Sequence, residues 1–125
     1  MIRGIGIDIV EVNRISDMVD KWGERFLNKV YTPYEVNYCK FKSNTYECLA
    51  GRFAAKEAFV KMLGTGFKHI YFKDIEVRSD EKGKPYLRIK GNADRLTKES
   101  GIKRIHLSIS HERKFAIAFV VGEEG

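Results

Sequence analysis

The segment TYECLAGRFAAKEAFVKML, residues 45–63, runs into Gly64-Thr65-Gly66, and its reading decides the fold. Alanine, leucine and methionine make it a good helix former, and Gly64 is a stop signal. Asn44 with Glu47 offers a start signature, so the spacing predicts the longest helix of the chain over residues 45–63. Leu49, Phe53, Val60 and Leu63 share one face of that helix, and Glu57 falls on the same face. A carboxylate on an apolar stripe calls for a cation. Lys61, one turn on, offers one through an ordinary i,i+4 pair.

Outward from this helix, residues 2–12 alternate. Ile5, Ile7 and Ile9 fall on one face, and Gly4, Gly6, Asp8 and Val10 on the other. This predicts a strand whose second face holds two glycines and a carboxylate. A charge flanked by isoleucines is costly unless it is paired or metal-bound, and the glycines leave room beside it. An exposed Asp on an edge strand is the plainer alternative.

Residues 13–22 carry Ile15, Met18, Val19 and Trp22 at helical spacing, Gly23 ends that helix, and a short helical piece follows through Phe26 and Leu27. Thr32-Pro33-Tyr34-Glu35 is a strong helix start: a capping Thr, Pro at the first position and Glu at the third. That helix is expected to reach about Phe41. Further on, 71–78 and 85–89 read as strands around the turn Asp80-Glu81-Lys82-Gly83. A short helix is expected over 93–99. Strands over 105–110 and 115–121 flank the charged bend His111-Glu112-Arg113-Lys114. The whole reads as one α+β domain, residues 1–125, with an antiparallel sheet packed on a long central helix.

Composition narrows the partners. The chain has 125 residues, 43% of them hydrophobic, and a formal net charge of +6, which suits an anionic partner. Its 23 basic residues are interleaved with 17 acidic ones, without a basic tail or arginine-rich block, which weakens a nucleic-acid reading. So small a domain covers its apolar surface incompletely, which leaves room for self-association. Cys39 and Cys48 lack zinc-ligand spacing, and in helical stretches the expectation is two reduced, partly buried thiols. Early charges at Arg3, Asp8 and Glu11 argue against a signal peptide, and no apolar run approaches a membrane span. A cytoplasmic protein is expected.

Gly64-Thr65-Gly66 follows Lys61 directly, and two glycines around a hydroxyl let backbone approach an anion while the lysine offers a point charge. It is not a Walker A loop, which needs longer spacing. His111 closes the strand Leu107-Ser108-Ile109-Ser110, where it would bind phosphate, move a proton or simply occupy a surface turn. Two separated acids, a lysine and a glycine loop fit one chemistry. Magnesium takes one or two carboxylates and completes its shell with substrate phosphates and water, as phosphoryl-type transfer requires.

Three stretches together go beyond generic pattern. Gly4-Ile5-Gly6-Ile7-Asp8-Ile9-Val10-Glu11 with Arg14-Ile15, then Arg52 through Lys61 with Gly64-Thr65-Gly66, then Leu107 through His111, resemble in order the signatures of the holo-acyl-carrier-protein synthases. The resemblance spans essentially the whole chain, and its KEA-centred helix is the most specific part. It implies a 4′-phosphopantetheinyl transferase-like fold of the stand-alone fatty-acid type. It also implies transfer of the 4′-phosphopantetheine arm from coenzyme A to a serine of apo acyl carrier protein, with release of 3′,5′-ADP.

By motif position the resemblance makes Asp8 and Glu57 ligands of Mg²⁺, which also contacts the pyrophosphate and activates the serine directly or through a water. It makes Lys61 a catalytic residue assisting the leaving phosphate. Arg52, Lys61, Gly64, Thr65, Gly66 and His111 become coenzyme A contacts. Arg14, Lys21, Arg25 and Lys29 become the docking face for an acidic carrier, although Asp17, Asp20 and Glu24 are interleaved among them. A homotrimer with intersubunit sites is implied too. The rival from another class is a small basic nucleic-acid-binding module, which would need neither Asp8 nor Glu57.

Overall fold

Two glycines let the first strand and the longest helix touch. In the computed structural model, which describes residues 1–125, strand β1 (Ile2–Glu11) lies against the helix over Thr45–Leu63. A Cβ on Gly6 would sit 1.8 Å from the Ala58 carbonyl oxygen, and one on Gly4 2.3 Å from that of Met62. The room read beside Asp8 is therefore filled by helix backbone. Any side chain at these positions would drive strand and helix apart.

In chain order, β1 is followed by α1 (Val12–Trp22), α2 (Glu24–Val30), α3 (Pro33–Lys40) and α4 (Thr45–Leu63). A single 3₁₀ turn (Phe72–Asp74) leads into β2 (Ile75–Ser79), β3 (Pro85–Ile89), α5 (Gly91–Glu99), β4 (Arg104–His111) and β5 (Phe115–Glu123). The expected single sheet is two. One has the order β1-β5-β4 and the other pairs β2 with β3, both antiparallel. The strand expected from residue 71 starts only at Ile75. Lys56 Nζ takes the Phe72 carbonyl at 3.0 Å and Asp74 N–H bonds the Tyr71 carbonyl at 3.0 Å, so this backbone is committed before a ladder can form.

Helix α4 crosses the inner face of the larger sheet. Every residue from Cys48 to Lys56 is buried, so the single apolar stripe read from sequence is corrected to a helix enclosed on nearly all sides. Glu57 and Leu63, assigned to that stripe, are only half-buried, whereas Arg52 and Lys56 are buried. The capping box at Thr32 forms, with Glu35 N–H bonding Thr32 Oγ1 and Thr32 N–H bonding Glu35 Oε1. The start expected at Asn44 does not, because its side chain makes no cap and Glu47 is engaged elsewhere.

Three rungs tie α3 to α4. Cys39 and Cys48 form a disulfide with Cα atoms 5.5 Å apart, correcting the expectation of reduced thiols. The Arg52 guanidinium lies 4.5 Å from the Tyr38 ring centre. Lys56 Nζ meets Glu35 Oε1 at 2.9 Å with both side chains fully buried. That pair is saturated, because Glu35 also accepts from Val77 N–H and Lys56 also donates to the Phe72 and Ile75 carbonyls. Cys48, Arg52 and Lys56 are spaced i, i+4, i+8, so one stripe of α4 carries all three rungs. The thiol expectation failed because sequence does not show that the turn between the helices folds back to align Cys39 with Cys48.

The outer face of the larger sheet is apolar and bare. Ile5, Ile7, Ile9, Phe115, Ile117 and Phe119 are all exposed there. No helix of the chain is long and apolar enough to cross a membrane.

Candidate active site

Chemistry collects at the two edges of the larger sheet. Asp8 pairs across the ladder with Ala118, which pairs in turn with Ile109, so Asp8 and the strand ending in His111 belong to opposite edges. Helix α4 spans the distance between them. Arg52 and Glu57, five residues apart, leave it in directions about 140° apart.

At the β1 edge, Lys61 Nζ donates to Asp8 Oδ1 at 2.9 Å and to the Ile7 carbonyl at 3.2 Å. This corrects the expected Glu57–Lys61 pair, since the lysine reaches back across the sheet edge instead. Glu57 is left near Asp8 without a hydrogen bond. Burial first, and then the Asp8 charge, hold its carboxyl above the ordinary glutamate range, while Arg14 and Lys61 pull the other way. Arg14 lies over the Phe53 ring at 5.6 Å, which fixes it beside this carboxylate. Two converging carboxylates, one of them unpartnered, form a donor set for a hard divalent cation. No three His, Cys, Asp or Glu side chains are grouped so as to hold a metal ion, so the remaining ligands of such an ion would have to come from outside the chain.

The Gly64-Thr65-Gly66 loop leaves the same end of α4. Gly64 and Gly66 adopt φ of 77° and 65°, the left-handed region that glycine enters freely. Gly64 N–H closes the helix on the Val60 and Lys61 carbonyls, and Thr65 Oγ1 donates to the Gly66 carbonyl at 3.0 Å. The loop is exposed on the Lys61 side.

At the β4 edge, a cavity of about 170 Å³ is lined by Tyr38, Arg52, Ser79, Gly83, Pro85, Ile109 and His111. Arg52 Nε and Ser79 Oγ are buried there without hydrogen-bond partners. Lys42 lies 4.7 Å from the Tyr38 ring centre on its own account. The neighbouring Ser79 hydroxyl first, and then the Arg52 and Lys42 charges, hold the Tyr38 phenol below the usual tyrosine range. His111 Nδ1 sits 2.9 Å from Glu47 Oε1. Unspent donors around a cationic cavity suit an anion.

A third feature lies on α1 and α2. Met18, Trp22 and Phe26 line a hollow rimmed by Arg25 and Lys29, with Lys21 and Arg25 flanking the Trp22 ring at 5.2 and 5.7 Å. It continues into a second hollow that includes Arg14, Phe53 and Phe72.

A family model described as the 4′-phosphopantetheinyl transferase superfamily matches residues 4–120. The chain belongs to that superfamily. The holo-[acyl-carrier-protein] synthase of Koribacter versatilis is 44% identical to this transferase over 125 residues, covering 99% of this chain and 100% of the relative. A holo-(acyl-carrier-protein) synthase from Bacillus anthracis, solved in complex with CoA (3′,5′-ADP), is 45% identical with a TM-score of 0.82, covering 100% of this chain and 99% of that one. The synthase from Neisseria meningitidis is 40% identical with a TM-score of 0.89, covering 99% and 100%.

Within this transferase the structure brings Asp8, Glu57, Lys61 and Arg14 together, with the Gly64–Gly66 loop alongside. It holds Arg52 and His111 apart from them at the other sheet edge. Tyr38, Ser79 and Glu47 were missed from sequence. A tyrosine in a short helix and a serine at a strand end carry no periodic signal, and Glu47 was spent on a helix start. Glu112 is structural, since its Oε1 accepts from Lys114 N–H and Phe115 N–H and closes the β4–β5 bend.

Proposed function

We propose that this chain is a holo-[acyl-carrier-protein] synthase, residues 1–125 forming one transferase domain. It moves the 4′-phosphopantetheine arm of coenzyme A onto a serine of apo acyl carrier protein. The serine oxygen bonds to the β-phosphorus of the pyrophosphate as its proton passes to solvent, the bridging P–O bond breaks, and 3′,5′-ADP leaves. The observation that carries the reading is the convergence of Asp8 and Glu57 with Lys61 bound to only one of them.

Asp8 and Glu57 are the residues that would hold Mg²⁺, which supplies Lewis-acid stabilisation of charge on the pyrophosphate when bound. Lys61 orients Asp8 and brings a positive charge to the side where the glycine loop opens, suited to the departing phosphate. Gly64, Thr65 and Gly66 offer close backbone approach to the nucleotide phosphates. Arg52 and His111 line the cationic cavity for the nucleotide end of coenzyme A. The hollow on α1 and α2 suits the carrier, with Met18, Trp22 and Phe26 as apolar anchors and Arg14, Lys21, Arg25 and Lys29 around them for an acidic partner.

A homotrimer supplies what one chain leaves separate. The bare apolar sheet face needs a cover. A head-to-tail ring brings the Asp8 edge of one copy to the Arg52–His111 edge of the next, so that three complete sites form between subunits. The enzyme then works in the cytoplasm, in fatty-acid synthesis, where coenzyme A and carrier protein meet.

The test is direct. Apo carrier protein is incubated with coenzyme A, Mg²⁺ and the assembled protein, and its mass is followed. Gain of one phosphopantetheine is expected; an unchanged carrier mass would overturn the activity.

A further inference from the structure

We propose that Cys39–Cys48 is a reversible thiol–disulfide site that sets the affinity of the Arg52 cavity for its anionic ligand. The inference rests on the reading of that cavity as the coenzyme A nucleotide pocket.

Three rungs join α3 to α4. Arg52 and Tyr38 form the middle one, and both line the cavity. On one side stands the buried Lys56–Glu35 pair, on the other the disulfide. Tyr38 is the neighbour of Cys39, and Arg52 lies one turn along α4 from Cys48, so the covalent rung holds both partners of the middle rung in register. The disulfide also closes a ring over residues 39–48, separated by 9 in sequence. Inside that ring lie Lys42, which stacks on Tyr38, and Glu47, which bonds His111. Tyr38 and Arg52 of the cavity wall therefore lie within one helical turn of a bridged cysteine, and Lys42 and Glu47, which contact the wall residues Tyr38 and His111, lie inside the ring.

Breaking the bond releases this wall without demolishing the core. Both sulfurs are buried among apolar neighbours, and the thiols they become are tolerated in such a place. The ring residues from Lys40 to Ser43 are exposed, so chain entropy returns there once the link is cut. The Lys56–Glu35 rung is untouched and keeps the far ends of the helices together. Arg52 loses its fixed stacking partner and its guanidinium is less well aimed.

The chemistry balances with a dithiol as co-reactant. One thiolate of the dithiol attacks the Cys48 sulfur, and Cys39 leaves as thiolate and takes up a proton. The second thiol of the dithiol then displaces Cys48 from the mixed disulfide, giving two protein thiols and an oxidised dithiol. A disulfide is out of the ordinary in a reducing compartment, which makes a reversible role there more natural than a permanent one.

The experiment compares the intact enzyme oxidised, the same enzyme after dithiothreitol, and the Cys39→Ala/Cys48→Ala variant. Alkylation followed by mass measurement counts the free thiols, and steady-state kinetics separate the substrates. The KM for coenzyme A is expected to rise about fivefold on reduction, part of what a charge-assisted hydrogen bond is worth, while kcat and the KM for carrier stay within about twofold. The double variant should hold the higher KM whether or not dithiothreitol is present. An unchanged KM for coenzyme A across a verified change in thiol count would overturn the proposal and leave the pocket reading intact. Two alkylated cysteines in the oxidised sample would overturn it as well. Failure of coenzyme A to bind in either redox state would overturn the pocket reading and this inference with it.

Discussion

Lys61 Nζ lies 2.9 Å from Asp8 Oδ1, whereas Glu57, one turn earlier on the same helix, has no hydrogen-bond partner. The lysine is thus a resident counter-ion on one arm of the carboxylate pair and leaves the other arm available. With its side chain half exposed, this ion pair contributes little to stability, and its value lies in aim.

Replacing that lysine should separate its two effects. Lys61→Met should lower kcat about a hundredfold, the scale of losing a positioned charge at a developing anion. The same variant should reach half-maximal activity at lower Mg²⁺, because a cation competing for Asp8 has gone. Magnesium titrations at saturating coenzyme A give both numbers. An unchanged Mg²⁺ midpoint would remove Lys61 from direct competition at Asp8.

Glu57 should trade activity against stability. Burial and Asp8 raise its folded-state pKa above the unfolded one. The folded protein therefore prefers it protonated. The cost of ionising it appears as pH rises through the unfolded value and is complete above the folded one. Glu57→Gln removes that cost, so thermal melting without metal at neutral pH should show a higher Tm than wild type, with turnover abolished. In the wild type, the Mg²⁺ needed for half-maximal activity should begin to rise on acidification at a higher pH than an ordinary carboxylate would dictate, because protonation of the metal-free Glu57 competes with the cation. A Gln variant that melts lower at neutral pH would overturn the electrostatic account.

Carrier docking should respond to charge and salt together. Arg25→Glu and Lys29→Glu reverse charges on the rim of the α1–α2 hollow without touching the carboxylate pair. Each is expected to raise the KM for carrier about tenfold at low ionic strength, with much of the difference gone near 0.5 M salt, and to leave the KM for coenzyme A unchanged. Parallel rises in both KM values would show that the hollow is not a carrier-specific surface.

Mixing inactive copies tests the shared site. Glu57→Gln damages the β1 edge of a subunit and Arg52→Ala the β4 edge. Exchanged together, the two variants should regain a measurable fraction of wild-type activity, because some intersubunit sites then draw an intact edge from each parent. Light scattering should report three copies in the assembled enzyme. Absence of any recovery after verified exchange would place both halves of the site within one chain.

How far the sequence carried varied from residue to residue. The Thr32–Glu35 capping box, the helix over residues 45–63 and the strand over 85–89 were legible because each rests on neighbours a few positions apart. The start of β2 at Ile75 and not at residue 71 was not, since it depends on Lys56 capturing the Phe72 carbonyl from 16 positions away. Asp8 and Glu57 stood out as oddly placed carboxylates. That Lys61 would choose Asp8 over Glu57 depends on how close the glycines let α4 come to β1, a distance no spacing rule contains.

By itself the sequence determined the periodic elements, the order of three motifs, and hence the family. These follow from local backbone preference and from residue types that chemistry demands at given intervals. Only the tertiary structure decided which charges meet. It joined Cys39 to Cys48, set Arg52 and His111 around one cavity, and left them across the sheet from Asp8 and Glu57. Those relations come from α4 lying across three strands, and the packing of a helix on a sheet is settled by side chains and missing side chains far apart in the chain.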